Sequence, residues 1–235
     1  MKILALEFSS PQRSVAVADG GRAVSEVIEA GASGTQAFGM IEAALREAKL
    51  EREQIECIVI GLGPGSYTGI RAAIALAQGW QLARGIKLLG ISSVEAIAAQ
   101  AQADVWSSAF RRQDNDAKPD RLKAELQTQR INVVIDAQRN ELYLATYEIT
   151  AGGRKEIEPL RIVPLAEIQS RASAGAIIVG PEVTRWFTTG RVLFPRAAAL
   201  AQMAASRSDF EPGENLVPIY LRETNFVKAP PPRIL

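Results

Sequence analysis

The 235-residue chain contains no histidine. Any chemistry must therefore use carboxylates, hydroxyls, lysine, arginine or backbone groups. Ser-His-Asp and Cys-His catalysis, zincin motifs and imidazole metal sites are excluded. Three features could still do chemistry. Glu7 ends one apolar run and Asp136 ends another, "INVVID", and a polar turn follows each. The third is "GLGPGSYTGIR", residues 61–71, where glycines and a proline interrupt an apolar run before an alanine-rich stretch.

Backbone N–H groups in such a turn, with Ser66 or Thr68 as cap, can hold an anion at a helix N-terminus. The contacts would be Gly63, Gly65, Ser66, Thr68 and Arg71. Arg71 opposes the helix dipole in the first turn, which fits an anion or acidic partner nearby. The spacing nevertheless fails both nucleotide motifs. A P-loop needs Gly-x4-Gly-Lys-Ser/Thr, and no lysine is present in this loop; a dinucleotide fingerprint needs Gly-x-Gly-x-x-Gly, and Gly63, Gly65 and Gly69 run one residue too long. A tight turn capped by serine is the preferred reading. "EFSSPQ" keeps hydroxyls but lacks the glycine that would let phosphate approach, and "DAQRNE" has neither. Glu7 and Asp136 therefore read as vestigial acids.

Positioning these residues requires strands and helices in a definite order. Residues 2–8 read as a buried strand. Residues 13–19 and 22–29 alternate around Asp19-Gly20-Gly21, a hairpin signal. Residues 35–49 carry apolar positions at helical period. A strand over 56–60, a helix over 68–84 and a strand over 87–91 follow. Ser92 with Glu95 forms a capping-box pattern for the next helix. The first half thus reads β-β-β-α-β-α-β-α, with parallel strands added to a meander. Residues 104–130 are dense in mixed charge and read as a solvated connector, with a short helix around 122–127. The opening pattern then returns: strand, acid, polar turn, alternating strand. Further strands are expected over 160–163, 176–179 and 191–194, with short helices between. Two halves opening alike imply duplication: residues 1–103 as one lobe, 104–130 as connector, and 131–235 as a smaller lobe and tail.

The helix over 68–84 is apolar all round. Ile70, Ala73, Ile74 and Ala77 share one face; Ala72, Ala75, Leu76, Gly79, Trp80 and Ala83 share the other. Such a helix needs cover on both sides. Small residues allow close helix approach and Trp80 is an anchor of the type favoured at interfaces. The preceding helix adds Phe38, Met40, Ile41 and Leu45. A partner surface is preferred over cover by the chain's own second lobe.

Composition agrees with a globular domain pair: 47% hydrophobic, 23% charged and net charge +1, so nothing global steers the chain to nucleic acid or membrane. The apolar run in "MKILALEFSSP" is too short for a signal peptide, and no segment reads as a membrane span. Cys57, the single cysteine, reads as a buried structural thiol. A cytoplasmic setting is expected, with no cofactor or metal.

The strand order and duplication resemble the actin-like ATPase superfamily, which implies an α/β fold of two actin-like, ribonuclease H-like lobes. Each would be a mixed sheet opening with an antiparallel meander and flanked by helices. "ILALEFSS", "IGLGPGSYTGIRAAIALAQGWQLA", "LLGISSVEAIAAQA", "VVIDAQRNELYLATYE" and "PIYLR" together resemble the TsaB (YeaZ) family. The resemblance implies a non-catalytic subunit in tRNA threonylcarbamoyladenosine synthesis. It implies dimerisation with a TsaD-type catalytic subunit through the first lobe's two helices, a TsaE-type ATPase in the assembly, and a homodimer in isolation. It implies contact with tRNA only through the complex. Three departures stand out: Glu7-Phe8-Ser9-Ser10 replaces the family's Asp-x-Ser-Thr, "SGTQAFGM" replaces a His-Ser helix opening, and the connector over 104–130 is longer than usual. The rival reading is an actin-like ATPase or kinase using Glu7, Asp136 and the glycine loop.

Overall fold

The computed structural model describes residues 1–31, 36–113, 128–150 and 152–222. In the first lobe, β1 (Lys2–Glu7), β2 (Gln12–Asp19) and β3 (Arg22–Ala30) form an antiparallel meander. Gly20 and Gly21, with φ of 56° and 84°, join Asp19 to its pairing partner Arg22. Positive φ at both positions is what a two-residue hairpin requires. β4 (Cys57–Gly61) adds parallel to β1, and β5 (Lys87–Ile91) parallel to β4, giving the order β3-β2-β1-β4-β5.

The second lobe repeats this plan. β6 (Gln129–Asp136), β7 (Glu141–Thr150) and β8 (Gly153–Pro164) form the meander. β9 (Ile177–Gly180) and β10 (Arg191–Val192) add in parallel beyond β6. The duplication faint in the sequence is complete in topology, and the fold is the two-lobed actin-like one. β8 begins at Gly153, well before the expected residue 160. It is an edge strand, so charged residues such as Lys155 and Glu158, and Pro159, are tolerated without an alternating apolar pattern.

Helices α1 (Ala37–Ala48) and α2 (Tyr67–Arg84) cover one face of the first sheet. Leu4, Leu6, Ile58 and Ile60 pack there with Met40, Ile41, Ile70 and Ile74. With both faces covered, β1 and β4 read as unbroken apolar runs. The other face is covered from across the chain: α5 (Ala197–Ala204) lays Ala197, Leu200 and Ala201 on Ile3, Ala5 and Val59. In return α3 (Ser93–Gln113) lays Val94, Ile97 and Ala101 on Ile131, Val133 and Ala145 of the second sheet. Each lobe thus lends a helix to the other. The second sheet's outer face is covered by α4 (Leu165–Ser173) through Ile168, with Val183 and Phe187 beside it.

α3 continues to Gln113, so the first part of the expected connector is helical. The short helix expected over 122–127 lies outside the described residues. Ser92 and Glu95 do not close a capping box. The Ser92 hydroxyl donates to the Gly63 carbonyl at 3.4 Å, and Glu95 pairs with Arg154 at 3.3 Å. After α5 the chain returns along the first lobe as an irregular strap. The Glu211 N–H donates to the Leu88 carbonyl and the Ile219 N–H to the Leu62 carbonyl, both at 2.9 Å. Leu216 enters the core beneath α2. Among the described residues no helix is long and apolar enough to cross a membrane.

Candidate functional site

The glycine loop is packed against the β1–β2 turn rather than open to a ligand. A Cβ on Gly65 would overlap the Ser9 carbonyl, one on Gly69 the Phe8 carbonyl, and one on Gly61 the Glu7 carboxylate. The glycines are therefore required by close backbone approach. Several of the loop's amides, though not those of Gly65 and Thr68, are also engaged. The Ser66 N–H donates to the Ser9 carbonyl at 2.7 Å, and the Gly63 N–H to Ser93 Oγ at 3.1 Å. Ser66 caps α2 as expected, its Oγ accepting from the Gly69 N–H at 3.3 Å. Thr68 is exposed at the start of the helix. Arg71 turns to Tyr67, donating to its hydroxyl at 2.8 Å with the guanidinium 5.0 Å from the ring centroid.

Glu7 is fully buried at the centre of this packing. One carboxylate oxygen accepts from the Ser9 N–H and the other from the Ser93 hydroxyl, both at 2.8 Å. Burial pushes its pKa up, and those hydrogen bonds oppose the rise. These bonds tie β1 to the β1–β2 turn and to the start of α3, and Ser93 in turn accepts from the Gly63 N–H of the glycine loop. This acid is a staple between three elements with no face towards solvent. Ser93, which completes it, was signalled in the sequence only by its place in "SSVEA".

Asp136 holds a different turn. Its carboxylate accepts from the Gln138 N–H at 2.6 Å and faces Arg185 at 3.5 Å. Gln138, Arg139 and Asn140 all have φ near 60°, a left-handed run that is uncommon for non-glycine residues. Arg222 from the strap steadies it, donating to the Ala137 carbonyl at 2.9 Å and to Glu141 at 2.6 Å. A cavity of about 310 Å³ lies beside this turn, lined by Asp136, Arg139, Arg185 and Trp186 among others.

The structure divides the residues expected at a partner surface. Met40, Ile41, Leu45 and Ile70 are in the first lobe's own core, because they sit on the helix faces turned to the sheet. Leu76 and Trp80 are partly buried and packed against that core, so Trp80 is not a free anchor. Ala72 is half-buried, and Gly79 and Ala75 are exposed. A Cβ at Gly79 would meet nothing within 4 Å. Phe38 is 66% exposed and Leu82 91%. What remains is a shallow face of small residues along α2, flanked by bare apolar side chains. Among the described residues the alternative, cover by the second lobe's sheet and helices, is absent from this face, and the strap lies beside it. Gln78 donates to the Gly213 carbonyl at 2.8 Å, and Gln81 accepts from the Gly213 N–H at 2.7 Å. Tyr220 stacks on Tyr67 at 5.4 Å between centroids. The strap was not anticipated as part of this surface.

A two-lobed actin-like protein, with its glycine loop filled by its own backbone and a small-residue helix face left bare, is the class that fold and site define. Comparison with known proteins narrows it. The family model for TsaD, tRNA N6-adenosine threonylcarbamoyltransferase, matches residues 31–109, which carry α1, the glycine loop and α2. An uncharacterized protein of Mycobacterium tuberculosis is 30% identical over 180 residues, covering 77% of this chain and 70% of its own. The tRNA threonylcarbamoyladenosine biosynthesis protein TsaB of Escherichia coli is 26% identical over 242 residues, covering 94% and 95%. The solved structure of YeaZ from Pseudomonas aeruginosa superposes with a TM-score of 0.69 at 24% identity, covering 94% of this chain and 99% of that one. Over nearly its whole length the chain is thus similar to a TsaB protein in sequence and to YeaZ in fold.

Proposed function

We propose that the chain is a non-catalytic scaffold subunit that dimerises with a TsaD-type threonylcarbamoyltransferase and supports threonylcarbamoyladenosine modification of tRNA. The observation that carries this reading is the exposed face of α2, where Ala75 and the unobstructed Gly79 leave room for another helix to approach closely. A glycine in mid-helix costs about 0.5–1 kcal/mol against alanine, and among the described residues none lies within 4 Å of where a Cβ at Gly79 would stand. The engagement of Glu7 and of the Gly63 and Ser66 amides supports a binding role over phosphate chemistry. A TsaE-type ATPase and tRNA join through the complex, and the same face would close a homodimer when the partner is absent.

The test mixes purified chain with the TsaD-type subunit of the same organism and measures mass by light scattering. A 1:1 species is expected, and Ala75→Asp should abolish it, since a carboxylate in a close helix contact is desolvated without a partner. Trp80→Asp is the poorer probe because Trp80 supports the lobe's own core. A complex indifferent to Ala75→Asp sinks the assignment of α2. Turnover of magnesium-ATP by the chain alone would favour the ATPase reading instead.

A further inference from the structure

The face of α2 is too small to hold a stable partner by itself. Its 18 residues span about 27 Å, and a strip about 10 Å wide covers roughly 300 Å². A specific interface of standard size takes about 800 Å² from each side. The rest must come from neighbouring surface: α1, whose apolar residues except Phe38 are turned to the sheet, adds little apolar area, and the strap borders α2 as well. The strap runs antiparallel to α2, from Gly213 against Gln78 and Gln81 to Tyr220 against Tyr67. It is fixed before any partner arrives, by Leu216 in the core and the Ile219 N–H on the Leu62 carbonyl.

Irregular segments usually turn polar side chains outward. This one exposes three large apolar side chains within five residues: Val217 (63% exposed), Tyr220 and Leu221. Tyr67 and Leu82 of α2 and Phe38 of α1 are exposed as well, and Tyr220 meets Tyr67 directly, so the strap's apolar side chains continue from those of α2. The order they would lose on binding is already small, because the backbone is held and Tyr220 is stacked. Preorganised apolar surface of this kind gives affinity at low entropic cost.

We infer that the strap, through Val217, Tyr220 and Leu221, is part of the docking surface for the same TsaD-type subunit that α2 receives. This rests on the proposed function, and the experiment separates the two. The double variant Val217→Asp/Leu221→Asp alters side chains that face solvent in the free chain, so its melting temperature should match that of the unmodified protein. Its affinity for the TsaD-type subunit, measured by calorimetry, should fall at least tenfold. Hydrogen exchange at residues 216–222 should slow when the partner binds. Affinity within twofold of unmodified protein, or exchange unchanged in the complex, overturns the inference while Ala75→Asp still breaks the dimer. If Ala75→Asp also binds normally, the proposed function fails with it.

Discussion

The two lobes share one strand order, yet the chain leaves their fourth strands differently. After β4 it passes through the glycine loop into an 18-residue helix. After β9 it passes through Gly180 into a three-residue 3₁₀ turn, Val183–Arg185. The tight approach itself is kept in both. A Cβ on Gly180 would overlap the Val134 carbonyl, as one on Gly65 would overlap that of Ser9. The outer faces diverge as well. α1 and α2 close the first on aliphatic side chains. The second carries a polar cluster, in which Arg171 donates to Glu158 at 2.8 Å, Glu167 at 2.9 Å and Asn132 at 3.1 Å. Duplication has preserved the frame, while a broad helical surface has been kept on one copy only.

The sharpest way to break this comparison is to separate the lobes. Each covers one face of its sheet with the other's helix. A fragment of residues 1–103 lacks α5, and so exposes Ile3, Val59, Leu89 and Ile91. Each such side chain contributes about 1.5–3 kcal/mol when buried, against a typical net stability of about 5–15 kcal/mol. The fragment should show no cooperative thermal transition and should bind a hydrophobic dye. A sharp melt would show that the lobes fold independently.

Two glycines of one helix divide structure from surface. Gly69→Ala forces a Cβ into the Phe8 carbonyl, backbone that cannot swing away, and should cost about 3 kcal/mol or more in urea unfolding. Gly79→Ala places its Cβ in open space and should stabilise the free chain by about 0.5–1 kcal/mol. The same change should weaken a close helix contact with the partner. Stabilisation with undiminished partner affinity would mean that the partner does not approach α2 at Gly79.

Much of this frame was legible in the sequence because it rests on local signals. The meander follows from alternation and the Gly20-Gly21 turn, and α2 from a serine cap and a helical period. The inner face of α2 was legible too, since Ile70, Ala73, Ile74 and Ala77 all face the sheet. Non-local choices were not legible. "AAALAQMA" announces burial but not which sheet receives it, so the exchange of helices was hidden. On α1 the apolar residues could be sorted into core and surface only once the sheet's position was known. Met40, Ile41 and Leu45 went inward, leaving Phe38 outside. The strap has no periodicity and is held by backbone bonds to distant residues, which leave no mark on its own composition.

The subtlest difference between the lobes is their response to acid. Glu7 is buried among apolar strands, and burial raises its pKa. A raised folded-state value contributes stability that is fully present below the unfolded value, about 4.3, and is lost as pH rises through the folded one. Glu158 is the opposite case. Its hydrogen bond from Arg171 holds it down to about 2, and Glu167 is lowered by Arg161. Their contribution is present above about 4.3 and is lost as pH falls towards 2. From pH 7 to pH 4.5 the first lobe should therefore gain protection while the second holds steady; below pH 4 the second should weaken. Hydrogen exchange resolved by lobe, corrected for intrinsic rates, measures this directly. Glu7→Gln keeps an acceptor for the Ser9 N–H and a polar group facing Ser93, but has nothing to titrate. It should flatten the first lobe's trend and leave the second's intact. If both lobes keep their trends in that variant, the pH response of the first lobe comes from some group other than Glu7.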